Sequence, residues 1–267
     1  MRSHNEYEIP AFEPHNGLMS NLGRIIGLLR SLAIYHAIPL RQRRMRRFYA
    51  QFVLSGDLVF DLGAHVGNRT RAFAAMGCRV VAVEPQPDFA RLLRLFFARS
   101  SKVEVIEAAV GSEPGHTSLF VSERTPTVST VVAPWHEARA REPDFSGVEW
   151  NRRIDVETIT LDVLIERFGM PAFVKIDVEG SEPSVLAGLS RPVRSLSFEY
   201  LPRALEYART CAARLGALGH YRFNWSPGES YRLAAKAWMT DTELFAALHT
   251  AEAQRVPGDV YARLDES

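Results

Sequence analysis

A glycine-rich turn and a carboxylate that follows it are the first residues with recognisable chemistry. Residues 61–67 read DLGAHVG and come directly after an apolar run, residues 58–60, and before a stretch with helical spacing. Glu84 follows the next apolar run, 23 residues after Asp61. In open α/β folds such a turn, followed about 20 residues later by an acid, binds a nucleoside, because the acid accepts hydrogen bonds from ribose hydroxyls. These residues therefore predict a nucleoside-containing ligand.

The spacing of the glycines argues against a dinucleotide. From Gly63 the spacing is G-x-x-x-G rather than G-x-G-x-x-G, and Asp61 places negative charge where a pyrophosphate would bind. S-adenosylmethionine fits better, because it carries a sulfonium, an ammonium and a carboxylate but no phosphate. Backbone N–H groups of residues 63–68 are expected to meet its carboxylate, and Asp61 its ammonium. The predicted cofactor-binding residues are Asp61, Gly63, Ala64, His65, Gly67, Asn68, Thr70, Glu84, Pro85, Ala108 and Ala109.

A second group of charged residues, within residues 174–182, lies at the end of another predicted strand. Lys175 and Asp177 share one face of that strand because side chains alternate along a strand, and Glu179 lies just beyond it. Carboxylates at the rim of the sheet are candidates for a base that takes a proton from a bound substrate. The predicted catalytic residues are Asp177, Lys175, Glu179 and Glu199.

Two alternatives apply to this group. Lys175 serves equally well as a neutralising partner for Asp177 or Glu179 in a buried pair. Asp177, Glu179 and Glu199 also offer enough oxygens for a magnesium ion. Because the adjacent lysine would compete with a cation, catalysis without a metal is the favoured prediction.

The pattern from residue 56 onward predicts the elements that position these side chains. Short apolar runs alternate with helical stretches, which indicates a parallel sheet with crossover helices. Strands are predicted at residues 58–60, 79–84, 103–106, 173–176 and 195–198, and helices at 68–76, 89–98, 161–168, 183–189 and 202–218. Residues 221–235 are predicted as two strands around a turn at 226–228, and Thr240 with Glu243 marks the start of a last helix. The predicted fold is a doubly wound α/β fold with a mostly parallel sheet.

Several strings in the sequence resemble signatures of the FkbM family of S-adenosylmethionine-dependent methyltransferases. They are DLGAHVG at residues 61–67, VVAVEPQPD at 80–88 and VKIDVEGSEPSVLAGL at 174–189, with shorter matches at 108–111, 160–162 and 198–199. The resemblance covers roughly residues 47–201. It implies a Rossmann-like class I methyltransferase fold and transfer of a methyl group to a hydroxyl of a sugar, a polyketide or another secondary metabolite. His65 and Leu201 depart from the family pattern, in which asparagine and histidine are frequent at these places.

Composition and charge exclude other classes. The chain has 267 residues, of which 46% are hydrophobic, enough for one large domain or two small ones. With 32 Lys and Arg against 31 Asp and Glu, the net charge is +1, which argues against a nucleic-acid partner. Cys78 and Cys211 are too few for a disulfide framework or a multi-cysteine zinc site, and free thiols are typical of a cytoplasmic protein.

The N-terminal part is predicted to be a helical extension or cap, residues 1–47, ahead of a methyltransferase domain, residues 48–267. Residues 18–40 have apolar positions at helical spacing, but charged and polar residues interrupt them, so no membrane-spanning segment is predicted. Residues 41–47 contain five arginines. Packing of this basic helix on the main domain is favoured over contact with a membrane surface. Because 29 of the 32 cationic residues are arginine, Lys175 in a buried strand indicates that a compact ammonium is needed there.

Two other functions are weighed against an O-methyltransferase that acts on a hydroxylated small molecule. A nicotinamide-dependent oxidoreductase would share the fold, but the G-x-x-x-G spacing, Asp61 and the lack of a Tyr-x-x-x-Lys pair oppose it. A non-catalytic module would keep the cofactor pocket and bind a partner through the arginine-rich helix. The sequence leaves the acceptor and the oligomeric state open. His116 and His136 are weaker candidates for the base, since a lone histidine is usually a surface residue.

Overall fold

A computed structural model describes residues 39–122, 129–132, 148–250 and 253–265. The strands in these ranges are β1 (Leu58–Leu62), β2 (Arg79–Val83), β3 (Val103–Ile106), β4 (Ala109–Val110), β5 (Gly115–Val121), β6 (Arg152–Ile159), β7 (Phe173–Ile176), β8 (Ser195–Tyr200), β9 (Tyr221–Pro227) and β10 (Gly258–Leu264). The helices are α1 (Pro39–Tyr49), α2 (Asn68–Ala75), α3 (Pro87–Phe96), α4 (Leu161–Phe168), α5 (Glu182–Ala187), α6 (Leu205–Leu218) and α7 (Asp241–Leu248), with a 3-10 turn at Pro202–Ala204.

A seven-stranded sheet in the order β3-β2-β1-β7-β8-β10-β9 forms the centre of the molecule. Within this sheet the neighbours among β3, β2, β1, β7 and β8 pair in parallel, whereas β10 pairs antiparallel with both β8 and β9. The predicted doubly wound, mostly parallel α/β fold is therefore confirmed. The chain passes from β1 outward through β2 and β3 and then returns to β7, so strand order reverses between β1 and β7. Ligands of such sheets bind at the carboxyl ends of the strands at this reversal.

A smaller sheet lies beside this end of the molecule. Its three strands are ordered β4-β6-β5, and β5 and β6 form a long antiparallel pair. Residues of this sheet and the short segment 129–132 cover one side of the β1 and β7 strand ends; Thr130 forms an antiparallel bridge with Phe120. Strands β5 and β6 lie in the interval of residues 111–160, for which the sequence predicts strands and turns.

Most predicted elements are confirmed, including the last helix. Thr240 caps α7 through a capping box with Glu243, as predicted. The predicted second strand after the turn at 226–228 is wrong, because residues 228–235 form no strand. The antiparallel partner of β9 is instead β10, more than 30 residues later in the chain. A local hairpin and a long-range antiparallel pair leave the same alternating pattern in the first strand, so the sequence of β9 alone does not distinguish them.

Helix α1 is part of the main core. Met45, Phe48 and Tyr49 are buried, and their apolar face packs against the sheet. The Phe48 ring lies 5.1 Å from that of Tyr261, and the Tyr49 ring 4.6 Å from that of Phe73. The basic helix thus packs on the main domain through one face and exposes Arg43, Arg44, Arg46 and Arg47 to solvent, whereas Arg41 is partly buried. The division at residue 47 stays a prediction, since residues 1–38 lie outside the described residues. No helix in the described part of the chain is long and apolar enough to cross a membrane.

The glycine-rich turn after β1 brings two strand ends into direct contact. Gly63 has a positive φ of 77°, and a Cβ atom built on it would lie 1.8 Å from the backbone oxygen of Asp177. Glycine is therefore required at position 63 for two reasons: the backbone is left-handed, and the turns after β1 and β7 leave no room for a side chain. Gly67 also has a φ of 77°, and its Cβ would lie 2.6 Å from Leu93, so this glycine serves the packing of α2 on α3.

Replacing Gly63 by alanine is expected to destabilise the fold strongly, because the added methyl group meets backbone rather than a flexible side chain. We expect the Gly63→Ala substitution to lower the free energy of unfolding by more than about 3 kcal/mol, measured by urea denaturation. Gly56→Ala is the matched control: its φ is 93°, but nothing lies within 4 Å of the added Cβ. Backbone strain alone should cost it about 1–2 kcal/mol. Equal losses for the two variants would contradict the close contact.

Candidate active site

A cavity of about 280 Å³ opens at the carboxyl ends of β1 and β7, where strand order reverses. Its wall combines the turns after β1, β2 and β7 with Glu199 of β8, residues of β10 and the segment 129–132. The polar and charged side chains that line it are those of Asp61, His65, Asn68, Arg69, Glu84, Gln86, Ser129, Thr130, Asp177, Glu179, Ser181, Glu199, Glu229 and Asp259. Carboxylates dominate this list, so the cavity is suited to a ligand with positive charge.

Asp61, near the end of β1, lines the cavity. Its side chain is almost fully buried, and its Oδ2 accepts a hydrogen bond of 2.5 Å from the hydroxyl of Thr70. Burial raises the pKa of Asp61, an effect that the Thr70 hydroxyl partly offsets. Thr70 does not line the cavity itself. It holds one carboxylate oxygen of Asp61 and leaves the other able to accept a donor.

Glu84, at the end of β2, is held by backbone groups on both of its oxygens. Its carboxylate accepts hydrogen bonds from the N–H of His65 at 2.8 Å and from the N–H of Gln86 at 2.9 Å. Burial nevertheless raises the pKa of Glu84 to about 7. Each carboxylate oxygen has two lone pairs, so acceptor capacity remains on the cavity side. Glu84 is thus a fixed carboxylate at the place where a parallel α/β fold binds ribose.

His65 is not arranged as a base. Its backbone has a φ of 50°, and its ring centre lies 4.0 Å from that of Phe89. Burial lowers the pKa of His65 to about 4, so the ring is neutral at physiological pH. His116, the other histidine considered in the described part, pairs with Asp155 on the exposed surface at 2.9 Å, away from the cavity. His136 lies outside the described residues.

Lys175 lies beneath the cavity, fully buried, in an ionic network. Its Nζ lies 2.9 Å from Asp259 and 3.6 Å from Asp177, and Arg69 reaches Asp177 from the other side at 3.2 Å. Burial alone would lower the pKa of Lys175, but attraction to Asp177 and Asp259 outweighs it and holds the pKa above its usual value. Lys175 is therefore charged and paired. This agrees with the alternative in which Lys175 neutralises Asp177 in a buried pair. Asp259, a partner that the sequence did not suggest, is the nearer of the two.

Asp177 and Glu199 differ in their electrostatics although both line the cavity. Burial raises the pKa of Asp177, but Lys175 and Arg69 outweigh this and keep the pKa below its usual value. Among the described residues, no cationic group lies within hydrogen-bond distance of Glu199. Burial, followed by repulsion from Glu179 and Asp177, holds the pKa of Glu199 well above its usual value. The site thus contains one carboxylate that stays ionised and one that readily holds a proton, an arrangement typical of acid–base sites.

Glu179 is fixed by its backbone. It has a φ of 52°, which is uncommon for a residue other than glycine, and its carbonyl oxygen accepts a 2.6 Å hydrogen bond from the Thr130 hydroxyl. Ser129 donates to the side chain of Gln86 at 3.2 Å. The segment 129–132 therefore links the turns after β2 and β7 across the cavity.

The cavity brings together most of the residues that the sequence predicted for the site. Those that line it are Asp61, Gly63, Ala64, His65, Asn68, Glu84, Pro85, Ala108, Ala109, Asp177, Glu179 and Glu199. Gly67, Thr70 and Lys175 lie behind the wall and support it. Arg69, Gln86 and Asp259 line the cavity but were not predicted. Arg69 and Gln86 lie one or two residues from predicted ones, so the same turns pointed to them, whereas Asp259 comes from the unpredicted strand β10.

The chain that forms this cavity matches a known protein family. The profile of the methyltransferase FkbM domain matches residues 61–209, more than half of the chain. The chain belongs to the FkbM methyltransferase family. The predictions of the FkbM methyltransferase family and of S-adenosylmethionine as the cofactor are therefore confirmed, and the oxidoreductase alternative is set aside.

Individual relatives of this FkbM methyltransferase are distant. A stretch of 56 residues, 20% of the chain, is 43% identical to an ornithine lipid N-methyltransferase of Singulisphaera acidiphila and spans only 29% of that protein. Among solved structures, an O-methyltransferase of Bacillus cereus in complex with S-adenosylhomocysteine is 12% identical, with 94% of this chain and 92% of that chain covered and a TM-score of 0.48. A precorrin-6y C5,15-methyltransferase of Geobacter metallireducens is 11% identical, with 83% and 86% covered and a TM-score of 0.44.

The residues of the FkbM cavity fit S-adenosylmethionine. Glu84 and Asp61 offer acceptors for hydroxyl and ammonium groups, while the side-chain nitrogen of Asn68 is a buried donor with no acceptor among the described residues. A cofactor with a carboxylate, an ammonium and ribose hydroxyls uses both kinds of group. In the described ranges no cluster of three or more His, Cys, Asp or Glu side chains has metal-binding geometry.

The buried carboxyls predict how the stability of the cofactor-free protein depends on pH. Glu182, at the start of α5, accepts a hydrogen bond from the N–H of Val178, and burial raises its pKa from 4.5 to about 7. The folded state therefore keeps a proton that the unfolded chain releases, so this stabilisation is complete below pH 4.5 and is lost as pH rises through 7. The shift corresponds to a loss on the order of 3 kcal/mol.

The Glu182→Gln substitution keeps the acceptor for Val178 but removes the titration. We expect urea denaturation at pH 4.5, 6 and 8 to show a flatter pH dependence for Glu182→Gln than for the wild type, with the largest gain in stability at pH 8. Glu166→Gln, on the exposed side of α4, is the control and should leave the slope unchanged. Identical slopes for wild type and Glu182→Gln would contradict the assignment of this proton to Glu182.

Proposed function

We propose that this FkbM methyltransferase transfers the methyl group of S-adenosylmethionine to a hydroxyl of a small molecule such as a sugar, a polyketide or another secondary metabolite. The observation that carries the proposal is Glu199, a carboxyl on the cavity wall whose pKa is held above its usual value. A hydroxyl is a weak nucleophile until a base takes its proton, and a base of raised pKa takes it more readily. Glu199 is therefore proposed as the general base.

The proposed transfer needs only S-adenosylmethionine, the acceptor hydroxyl and Glu199. S-adenosylmethionine supplies an electrophilic methyl group and a positive charge, and its sulfur keeps the electron pair of the broken S–C bond. The acceptor oxygen forms the new O–C bond, and its proton passes to a carboxylate oxygen of Glu199. Positive charge near the cavity favours the ionised form of Glu199, which is the form that accepts the proton.

The other predicted catalytic residues have supporting roles in this proposal. Asp177 lines the cavity and stays ionised because Lys175 and Arg69 flank it, so it is suited to orienting a hydroxyl or an ammonium group. Lys175 is proposed to act by holding Asp177 rather than by touching a ligand, since its side chain is fully buried. Glu179 lies on the same wall and raises the pKa of Glu199. The ammonium of Lys175 favours catalysis without a metal, because it would repel a cation at Asp177.

Transfer to an amine is the second candidate, favoured by the 56-residue similarity to an ornithine lipid N-methyltransferase. The electrostatics of the cavity support the hydroxyl instead. An amine must be neutral to attack, and a wall rich in carboxylates stabilises its ammonium form. A hydroxyl is neutral at physiological pH and only gives up its proton during transfer.

The remaining predictions about partners stay part of the proposal. We propose a small-molecule acceptor, no nucleic-acid partner and a cytoplasmic location. We assign no membrane contact to the arginines of α1.

The proposal is tested by release of S-adenosylhomocysteine in the presence of matched panels of hydroxylated and aminated small molecules. We expect turnover with hydroxylated acceptors and a kcat roughly 10²–10⁴-fold lower for Glu199→Gln, because the proton acceptor is lost. Binding of S-adenosylhomocysteine, measured by calorimetry, should change little. Glu206→Gln, on the exposed start of α6, is the control and should keep wild-type kcat. Turnover with amines alone, or full activity of Glu199→Gln, would overturn the proposal.

A further inference from the structure

Helix α1 contacts the glycine-rich side of the cavity wall through the side chain of Gln42. Its Nε2 lies 2.5 Å from Oδ1 of Asn68 and 3.1 Å from the backbone oxygen of the same residue. Asn68 is the first residue of α2, directly after the glycine-rich turn, and it lines the cavity. Gln42 is 26 residues away in the chain and is not itself on the cavity wall, so it acts on the site only through Asn68.

The position of Gln42 is held from two sides. The apolar face of α1 is anchored in the core by Met45 and Phe48. On the cavity side, Arg41 forms an ion pair with Glu229, and Arg44 donates to the backbone oxygen of Ser230 at 3.1 Å. Because Glu229 is also part of the cavity wall, α1 connects the turn at the start of α2 with the opposite rim. Gln42 is therefore a donor in a fixed place.

This contact determines which way the Asn68 amide faces. Since Oδ1 accepts from Gln42, the Nδ2 group points away from Gln42. Nδ2 is buried and finds no acceptor among the described residues, although Asn68 is only 3% exposed. A buried donor without an acceptor is unfavourable, so a ligand that brings an acceptor to Nδ2 gains from it.

We propose that Gln42 is a positioning residue for the cofactor: it holds the Asn68 amide so that Nδ2 donates to the amino-acid end of S-adenosylmethionine. Asn68 lies at the N-terminus of α2, whose N-cap Gly67 supplies no side-chain acceptor for the first turn. The start of a helix favours an anionic group, and the carboxylate is the strongest acceptor that the cofactor carries. Glu84, at the end of the neighbouring strand β2, is left for the ribose. The inference rests on the family's cofactor and not on the nature of the acceptor.

The first test is calorimetric titration of the full chain with S-adenosylhomocysteine. Gln42→Met keeps the length of the side chain but cannot donate, and we expect it to weaken binding about 10-fold. Gln51→Met is the matched control: Gln51 lies just beyond the same helix and donates to the backbone oxygen of Phe48, remote from the cavity. It should bind within about twofold of the wild type. Wild-type binding by Gln42→Met would overturn the proposal.

A double-mutant cycle shows whether Gln42 acts through Asn68. In an Asn68→Ala background, Gln42→Met should weaken S-adenosylhomocysteine binding no further, because the group that it positions is gone. Additive losses would overturn the proposal. Gln42→Glu provides a second variant of the same size: its carboxylate accepts from Nδ2 and turns the amide over, so binding should again fall, whereas a residue that only fills space would tolerate it.

A truncated ligand locates the contact on the cofactor. 5′-Methylthioadenosine has the nucleoside and the sulfur but no amino-acid end, so wild type and Gln42→Met should bind it equally. Equal weakening of both ligands would show a general distortion of the cavity and would overturn the proposal. Because none of these titrations contains an acceptor, their outcome is independent of whether Glu199 serves transfer to a hydroxyl.

Discussion

The active site depends on one buried cation. Lys175 has no contact with water, and a charge in that position is tolerated only when it is paired and hydrogen-bonded. Its two carboxylate partners, Asp177 and Asp259, come from the turn after β7 and from the antiparallel strand β10. Pairing with Lys175 therefore ties two parts of the cavity wall together and keeps Asp177 ionised. A lysine delivers a compact ammonium to this narrow place, which explains why it occurs in a chain that otherwise prefers arginine.

In the same low-dielectric surroundings, carboxyls without a cationic contact have raised pKa values, whereas the pKa of Asp177 is lowered. Burial raises the pKa values of Glu84 and Glu182 to about 7, and burial, followed by repulsion from Glu179 and Asp177, raises the pKa of Glu199. The cofactor-free protein thus stores unfavourable electrostatic energy at the cavity. A cationic ligand relieves part of it, because positive charge stabilises the ionised carboxylates. Affinity for a sulfonium cofactor and reduced stability of the free protein have one physical origin in this view.

Local patterns in the sequence predicted the parts of the site that local structure determines. The turn from Asp61 to Gly67, Glu84 and the turn after β7 each follow a strand directly, so strand periodicity placed them at one edge of the sheet. Asp259 and Gln42 were not predicted, because they reach the cavity through contacts far apart in the chain. Strand β10 lies between β8 and β9, and no local signal in β9 distinguishes this arrangement from a hairpin. Gln42 lies among five arginines, and the sequence pattern of this segment indicates a basic helix but no role for the Gln42 amide.

We expect the cofactor to bind in the cavity where β1 meets β7, with the Lys175 network beneath it. A crystal structure of the protein with S-adenosylhomocysteine would show the ligand and this network together. We predict ribose hydroxyls within hydrogen-bond distance, about 3 Å, of the Glu84 carboxylate, and Lys175 still paired with Asp177 and Asp259. Electron density for the ligand at the opposite ends of the strands, or a cavity in which Lys175 has left both carboxylates, would contradict the account.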